Sequence, residues 1–231
     1  MEATPLLNDI KIRPFDGKKD FENALLCFNE GFRHILWPFI DHAAPDFHMD
    51  CIRLFHKMSK TSFVAEIDGE VHGLLLGAAP FKFRDILSAV GFLFFSMVPK
   101  VLVNAYQFTP LAYKHLLRCI YGFSFFIFLH PASTAISEIT LFTSQKKYRG
   151  RGMGRLLMDA YLDAAKKRGA KEATVCTDTA LSYHFYESYG FERIREFNMK
   201  AYKYSIPKEF FTGIIYRIDT DSKRRHMHGG L

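Results

Sequence analysis

Apolar and polar positions along the chain change period several times, and each change marks an element. Ile10-Lys11-Ile12-Arg13 alternates as a strand does, and Pro14, Asp16 and Gly17 end it. From Asp20 to Phe32 the apolar residues Phe21, Ala24, Leu25, Phe28 and Phe32 recur every three or four positions, which predicts a helix. Trp37-Pro38 and Pro45 punctuate a loop, and a second helix is expected over about Asp46 to Met58. Ser62 to Glu66 and Glu70 to Gly77 read as two strands joined at Asp68-Gly69, a dipeptide suited to tight hairpins.

Between Pro80 and Thr134 the pattern departs from this alternation. Two dense apolar runs, Ile86 to Val98 and Cys119 to Leu129, flank Pro99, Lys100 and a mixed helical stretch. Each run is shorter than the roughly 18 residues a membrane-crossing helix needs, and charges bracket both. The segment is therefore expected to be a helical insertion packed against the core, with a membrane-touching or dimer-forming surface as the alternative. Beyond it, strands are predicted at Ile136 to Phe142, Ala173 to Thr177, Phe191 to Met199 and Gly213 to Ile218, and helices at Gly152 to Lys167 and Ala180 to Ser188. This order implies an α/β or mixed α+β sheet.

The whole of residues 1–231 is expected to form one domain containing the 80–134 insertion, with 220–231 a flexible tail. The chain carries 24 Phe, so a ring-rich core is expected. A net charge of +7 invites a nucleic-acid reading, but the charges are local: Lys146, Lys147, Arg149, Arg151 and Arg155 form one cluster, and Lys223 to Arg225 lie in the tail. The first cluster is of a size to serve a small polyanion, so no nucleic-acid partner is expected. Cys27, Cys51, Cys119 and Cys176 form no Cys-x-x-Cys pair, and Met1 to Asp9 has neither a basic nor an apolar run. Reduced thiols and a cytoplasmic location are the corresponding expectations. His42, His48 and His56 have no acidic or cysteine partner that completes a ligand set, so no metal is expected.

The most firmly placed element is the helix after Gly152. Met153, Leu156, Leu157, Ala160, Tyr161 and Ala164 share a face, and Lys166, Lys167 and Arg168 suit the negative end of its dipole. Immediately before it stands Arg149-Gly150-Arg151-Gly152-Met153-Gly154. A helix N-terminus offers unpaired N–H groups and partial positive charge, and glycines let a phosphate approach the backbone. Gly154 is followed by Arg155-Leu156 rather than Lys-Ser or Lys-Thr, which removes the magnesium-binding hydroxyl of a P-loop. The spacing also differs from a dinucleotide-binding turn.

Arg149, Gly152 and Gly154, within Tyr148-Arg149-Gly150-Arg151-Gly152-Met153-Gly154-Arg155-Leu156-Leu157, resemble the Arg/Gln-x-x-Gly-x-Gly/Ala acetyl-coenzyme A motif of the GCN5-related N-acetyltransferase (GNAT) superfamily. Phe185-Tyr186-Glu187-Ser188-Tyr189-Gly190-Phe191 resembles a second element of that family. The resemblance covers about Ile136 to Asp219 well and Ile10 to Gly77 loosely. It implies an α+β sandwich with a mixed, mostly antiparallel sheet, splayed at the cofactor strand and flanked by helices. It further implies that acetyl-CoA is the co-substrate, that the backbone of Phe142, Thr143 and Ser144 meets pantetheine, and that Arg149, Gly150, Arg151, Gly152, Met153, Gly154 and Arg155 hold the pyrophosphate. By the same resemblance, Glu138 stands where a general base belongs and Tyr186 where a proton donor to the thiolate belongs. The Asn that many relatives carry seven residues before that tyrosine is Thr179 here, which the resemblance places among the cofactor-binding residues; it is preceded by Asp178, and either can cap the following helix.

The expected activity is transfer of an acetyl group to a primary amine. The acceptor pocket is expected to involve Phe32 to Phe47 and the insertion acting as a lid, and its aromatic content favours a small molecule. A non-catalytic acyl-CoA-binding module is the alternative from another class.

Overall fold

The computed structural model describes residues 9–32, 45–78, 83–118, 136–179, 181–198 and 212–221. Asp68 and Gly69 both take positive φ, 53° and 84°, as a two-residue hairpin turn of right-handed twist requires. They join β2 (Thr61–Ile67) to β3 (Glu70–Ala78). With β1 (Lys11–Pro14), β4 (Ile136–Ser144), β5 (Glu172–Asp178), β6 (Glu192–Asn198) and β7 (Thr212–Asp219) they form a seven-stranded sheet of order β1-β2-β3-β4-β5-β7-β6. Every neighbouring pair is antiparallel except β4 and β5. The fold is thus α+β with a mixed, mostly antiparallel sheet, as expected from the sequence.

Helices cover both faces. On one, α1 (Phe21–Gly31) and α2 (Pro45–Met58) bury Ala24, Phe28 and Ile52 against Val64, Leu74, Leu76 and Leu141. On the other, the helix that follows the glycines, α5 (Met153–Lys167), packs Met153, Leu157 and Tyr161 against Ala65, Leu75, Ile139 and Val175. β3 is buried along nearly its whole length because both layers cover it, which explains its continuous Leu74-Leu75-Leu76 run.

The described part of the insertion belongs to the α1/α2 layer. α3 (Phe83–Phe92), a π-helical turn (Leu93–Met97) and α4 (Val98–Leu102) follow one another without a break. Pro99 does not end this helix. It lacks an N–H and crowds the preceding turn, and the wider turn upstream, closed by Val98 N–H to Leu93 O, accommodates it. Met97, Tyr106, Phe108 and Ala112 join the core formed by α1, α2 and the sheet. The Asp50 carboxylate of α2, 1% exposed, accepts Tyr106 Oη at 2.7 Å, Lys100 Nζ at 2.6 Å and Arg53 Nη1 at 3.1 Å. The second apolar run, Cys119 to Leu129, and most of the 220–231 tail lie outside the described residues.

One expected element is shorter than its periodicity implied. The helix expected from Ala180 to Ser188 is α6 (His184–Tyr189). Asp178 explains the delay: its Oδ1 and its carbonyl both accept the Leu181 N–H, making a turn in place of a helix start. The Tyr183 N-cap of α6 has no side-chain cap, so Asp178 shapes the approach to the helix and does not cap it.

Candidate active site

The parallel β4–β5 ladder is only four pairs long, from Ile136↔Glu172 to Ile139↔Val175. Beyond it β4 continues to Ser144 and β5 to Asp178, each still paired on its outer side to β3 and β7. The two strands therefore part, and their facing edges carry peptide groups that the sheet does not pair. A bulge in β4 starts the separation: Leu76 pairs with Leu141 and Gly77 with Ile139, so Thr140 has no opposite residue. Thr140 Oγ1 donates to Leu76 O at 3.1 Å and also lies 2.7 Å from Ser59 Oγ, which fixes the bulge to the end of α2.

Side chains at this fork divide between the two faces of the sheet. Ile139 and Val175 belong to the core on the α5 side, so their neighbours Glu138 and Cys176 point toward the α1/α2 layer. Burial pushes the Glu138 carboxyl up to about 7. Crowding at the fork, then the Glu138 and Asp178 carboxylates, push the thiol of Cys176 up to about 12, although that side chain reaches solvent. From the α5 side comes Tyr186, with its ring 6.3 Å from Phe142 of β4 and stacked at 5.6 Å on Tyr216 of β7. It thus lies across the gap under β5, and burial, then Cys176 and Tyr216, raise its phenol well above the usual range.

The open ends of β4 and β5 point at the start of α5. Gly150 and Gly152 hold φ of 76° and 81°, a backbone region costly for a residue with Cβ. Leu156 N–H bonds Gly152 O at 3.0 Å, so the amides of Met153, Gly154 and Arg155 precede the first closed turn of the helix. Arg151 Nη1 is buried without a hydrogen-bond partner among the described residues, and its guanidinium lies 5.7 Å from the Tyr148 ring centroid. A buried guanidinium nitrogen without a hydrogen-bond partner, beside unpaired amides, suits an oxyanion such as pyrophosphate.

The residues expected here from sequence do not all act alike. Arg149 Nε and Nη2 donate to Ser144 O at 3.2 and 3.1 Å, tying the loop to the end of β4. Arg155 reaches Ser188 O and covers the Tyr189 ring. The side chain of Met153 is core, which leaves its backbone for a ligand. Thr143 Oγ1 donates to Cys27 O of α1, and Phe142 packs against Phe185. Gly154 answers a second demand, since a Cβ there would meet Phe185 at 3.2 Å and Phe142 at 3.3 Å. Thr179 N–H bonds Thr212 O, prolonging the β5–β7 ladder.

Sequence reasoning missed the residues that fasten the loop. His72 of β3 bonds the Gln145 side chain at 2.9 Å and stacks on Tyr148 at 4.2 Å, and Glu30 of α1 accepts the Lys146 N–H. These partners are 73 and 116 residues apart in the chain, so no local pattern announces them. The histidines weighed as metal ligands lie in ring clusters: His48 near Phe28 and Phe47, His56 against Phe15 and Phe21. His42 lies outside the described residues.

Residues 132–202 match the family model described as an acetyltransferase (GNAT) domain. Over 78 residues the chain is 35% identical to N-alpha-acetyltransferase 30 of Schizosaccharomyces pombe, covering 33% of this chain. The aligned part spans about half the length of that curated relative, 49%. Among solved structures, ribosomal-protein-S18-alanine N-acetyltransferase from Escherichia coli is similar with a TM-score of 0.52 at 12% identity, over 95% of this chain and 99% of that one. Salmonella typhimurium yncA with its cofactor acetyl-CoA is similar with a TM-score of 0.54 at 14% identity, over 93% and 96% of the two chains. At such identities the structural likeness concerns the fold. The family model assigns residues 132–202, which hold the two ordered motifs, to an acetyltransferase (GNAT) domain.

Proposed function

We propose that this protein transfers the acetyl group of acetyl-CoA to a primary amine of a small molecule, by direct attack within the β4–β5 fork. The reading rests on the fork itself, which leads from a buried carboxyl at Glu138 to the exposed amides of the α5 N-terminus. In it, unpaired peptide groups of Phe142 to Ser144 receive the pantetheine amides, and the α5 amides with Arg151 receive the pyrophosphate. That arrangement sets the thioester beside Glu138.

Glu138 and Tyr186 then divide the proton work from opposite faces of the sheet. The amine enters from the α1/α2 side and its nitrogen bonds to the thioester carbonyl carbon. Its proton passes to the Glu138 carboxylate, directly or through water. As the carbon–sulfur bond breaks, the Tyr186 phenol protonates the leaving thiolate from the α5 side and is reprotonated by solvent. A carboxyl near 7 is ionised enough at neutral pH to act as base and basic enough to accept the proton. A phenol raised by burial stays protonated until the thiolate forms.

The small-molecule preference rests on the aromatic content of the insertion, whose Tyr106 and Phe108 pack against Phe47 in the layer on the acceptor side of the sheet. Of the aromatic segment expected to line the acceptor site, residues 33–44 lie outside those described. Thiol release from acetyl-CoA, measured over a panel of small amines and N-terminal peptides, tests the reading. Turnover of a small amine that is lost in Glu138→Gln supports it. Turnover of peptides alone overturns the acceptor class, and coenzyme A binding without turnover of any amine supports a binding module.

A further inference from the structure

The insertion helix that runs through α3, the π turn and α4 has two apolar faces, and the fold uses only one. Ala89, Phe92, Leu93, Met97 and Val101 face the α1/α2 core. Leu87, Val90, Phe94, Phe95 and Leu102 face outward and continue into Val103. Exposure reaches 89% at Phe95, 79% at Leu102 and 76% at Val103, far beyond what scattered surface apolar residues need explain. The π turn takes part in this division. Its extra residue lets Phe94 and Phe95 both project outward while Leu93 and Met97 return to the core.

Charge narrows the choice of what covers such a face. From Ile86 to Ser137 the sequence contains no Asp or Glu. Asp85, just before that stretch, is buried, whereas Arg84 and Lys114 are exposed. Leu111 and Leu117, on the helical stretch that carries Lys114, are exposed as well. A surface of phenylalanine and leucine edged by Arg84 and Lys114, on a stretch that itself carries no carboxylate after the buried Asp85, complements an anionic lipid interface. A second copy of the chain would bring the same cations together. No described helix is long and apolar enough to cross a membrane, which fits a helix lying in the interface plane.

We propose that the outward face of the insertion docks this protein on the surface of an anionic lipid bilayer. The sequence alone pointed away from membrane contact, because its two apolar runs are short and one face of a helix cannot be told from the other until the core is assembled. The proposal stands apart from the acetyl-transfer reading, since attachment and turnover are measured separately.

The test is cosedimentation of the full chain with phosphatidylglycerol–phosphatidylcholine vesicles and with phosphatidylcholine vesicles alone, with sedimentation velocity on the free protein. Anionic vesicles are expected to retain the protein, and neutral ones to retain it at least about tenfold more weakly. Phe94→Glu/Phe95→Glu and Arg84→Glu/Lys114→Glu are each expected to reduce retention about tenfold or more, with melting temperatures unchanged because these side chains are exposed. Absence of binding to anionic vesicles, undiminished binding by the Phe94→Glu/Phe95→Glu variant, or a dimer that this variant dissolves would each overturn the proposal.

Discussion

Glu138 and Cys176 face the same side of the sheet, one on each strand of the fork, and the Glu138 carboxylate is among the charges that keep the Cys176 thiol protonated. The pair marks the mouth of the gap into which the proposed chemistry is set. A high thiol pKa makes Cys176 a slow nucleophile, so its presence at the site is not evidence of a covalent acyl-enzyme.

Alkylation reads this arrangement directly. Cys176 is expected to react sluggishly with iodoacetamide at pH 8, faster in Glu138→Gln, and more slowly again when coenzyme A fills the fork. Peptide mass mapping over time checks all three rates. Protection by coenzyme A that is missing at Cys176 would count against the gap as its binding place.

The pH dependence of acetylation follows from Glu138. Only the ionised carboxylate accepts the amine proton, so kcat/KM should rise with pH through about 7 before the acceptor's own ionisation adds a further rise. Glu138→Gln should lower kcat by about 10²–10⁴ and abolish the lower inflection. Stability carries the opposite sign. Because the folded-state pKa lies above the ordinary 4.5, the stability that protonated Glu138 contributes is intact below about 4.5 and is lost as pH rises through about 7. At pH 8 the Gln variant should therefore be the more stable protein, by up to about 3 kcal/mol, in urea titrations.

Tyr186→Phe isolates the leaving-group step. It keeps the ring stacked on Tyr216 and removes only the phenol proton. Activity should fall about 10²-fold in kcat, while calorimetry finds coenzyme A binding within about twofold of the parent. Equal losses in binding and turnover would assign Tyr186 to packing alone.

Arg151→Ala tests the cradle. The guanidinium nitrogen it removes is buried and unpartnered among the described residues, so folding loses little and the ligand loses a charge-assisted bond. The dissociation constant for coenzyme A should rise about 10- to 100-fold with a nearly unchanged melting temperature. Gly152→Ala should weaken binding too, but with about 1–2 kcal/mol of lost stability, because φ there is 81°.

Asp50 is the latch between α2 and the insertion. Burial alone would raise its carboxyl, but hydrogen bonds from Lys100, Tyr106 and Arg53 outweigh that and hold it below the ordinary carboxylate range. Its contribution to stability is present above the ordinary carboxylate pKa and is lost as pH falls through the lowered one. Asp50→Ala should cost about 1–3 kcal/mol, since it strands the buried Tyr106 hydroxyl while Lys100 and Arg53 can turn to water, and should remove part of the acid sensitivity of unfolding. Circular dichroism melts from about pH 5 down to about pH 2 check both, because the contribution fades only below the ordinary carboxylate pKa.

Much of this protein is legible from local pattern. The three- and four-residue spacing of Phe21, Ala24, Leu25 and Phe28 marks α1, Asp68-Gly69 marks the β2–β3 turn, and the glycines before Met153 mark the start of α5. Such features are set by neighbours in the chain: helical periodicity, left-handed backbone at glycine and the free amides of a helix end act within a few residues. The assignment of residues 132–202 to a GNAT domain rests on the same kind of local information.

Other features exist only once distant segments meet. The bulge at Thr140 depends on how β3 registers against β4, and without it the fork would not open where Glu138 stands. Gly154 was assigned to phosphate approach from its motif, yet the rings of Phe142 and Phe185 also crowd any larger residue there. His72 and Glu30 hold the loop from elements far away in sequence. Likewise, the Ile86 to Val98 run reads as uniformly apolar, and only the docking of α2 through Asp50 decides that Met97 turns inward and Phe95 outward. Chain composition supplies apolar side chains without saying which of them the core will cover, because burial is a property of the assembled layers.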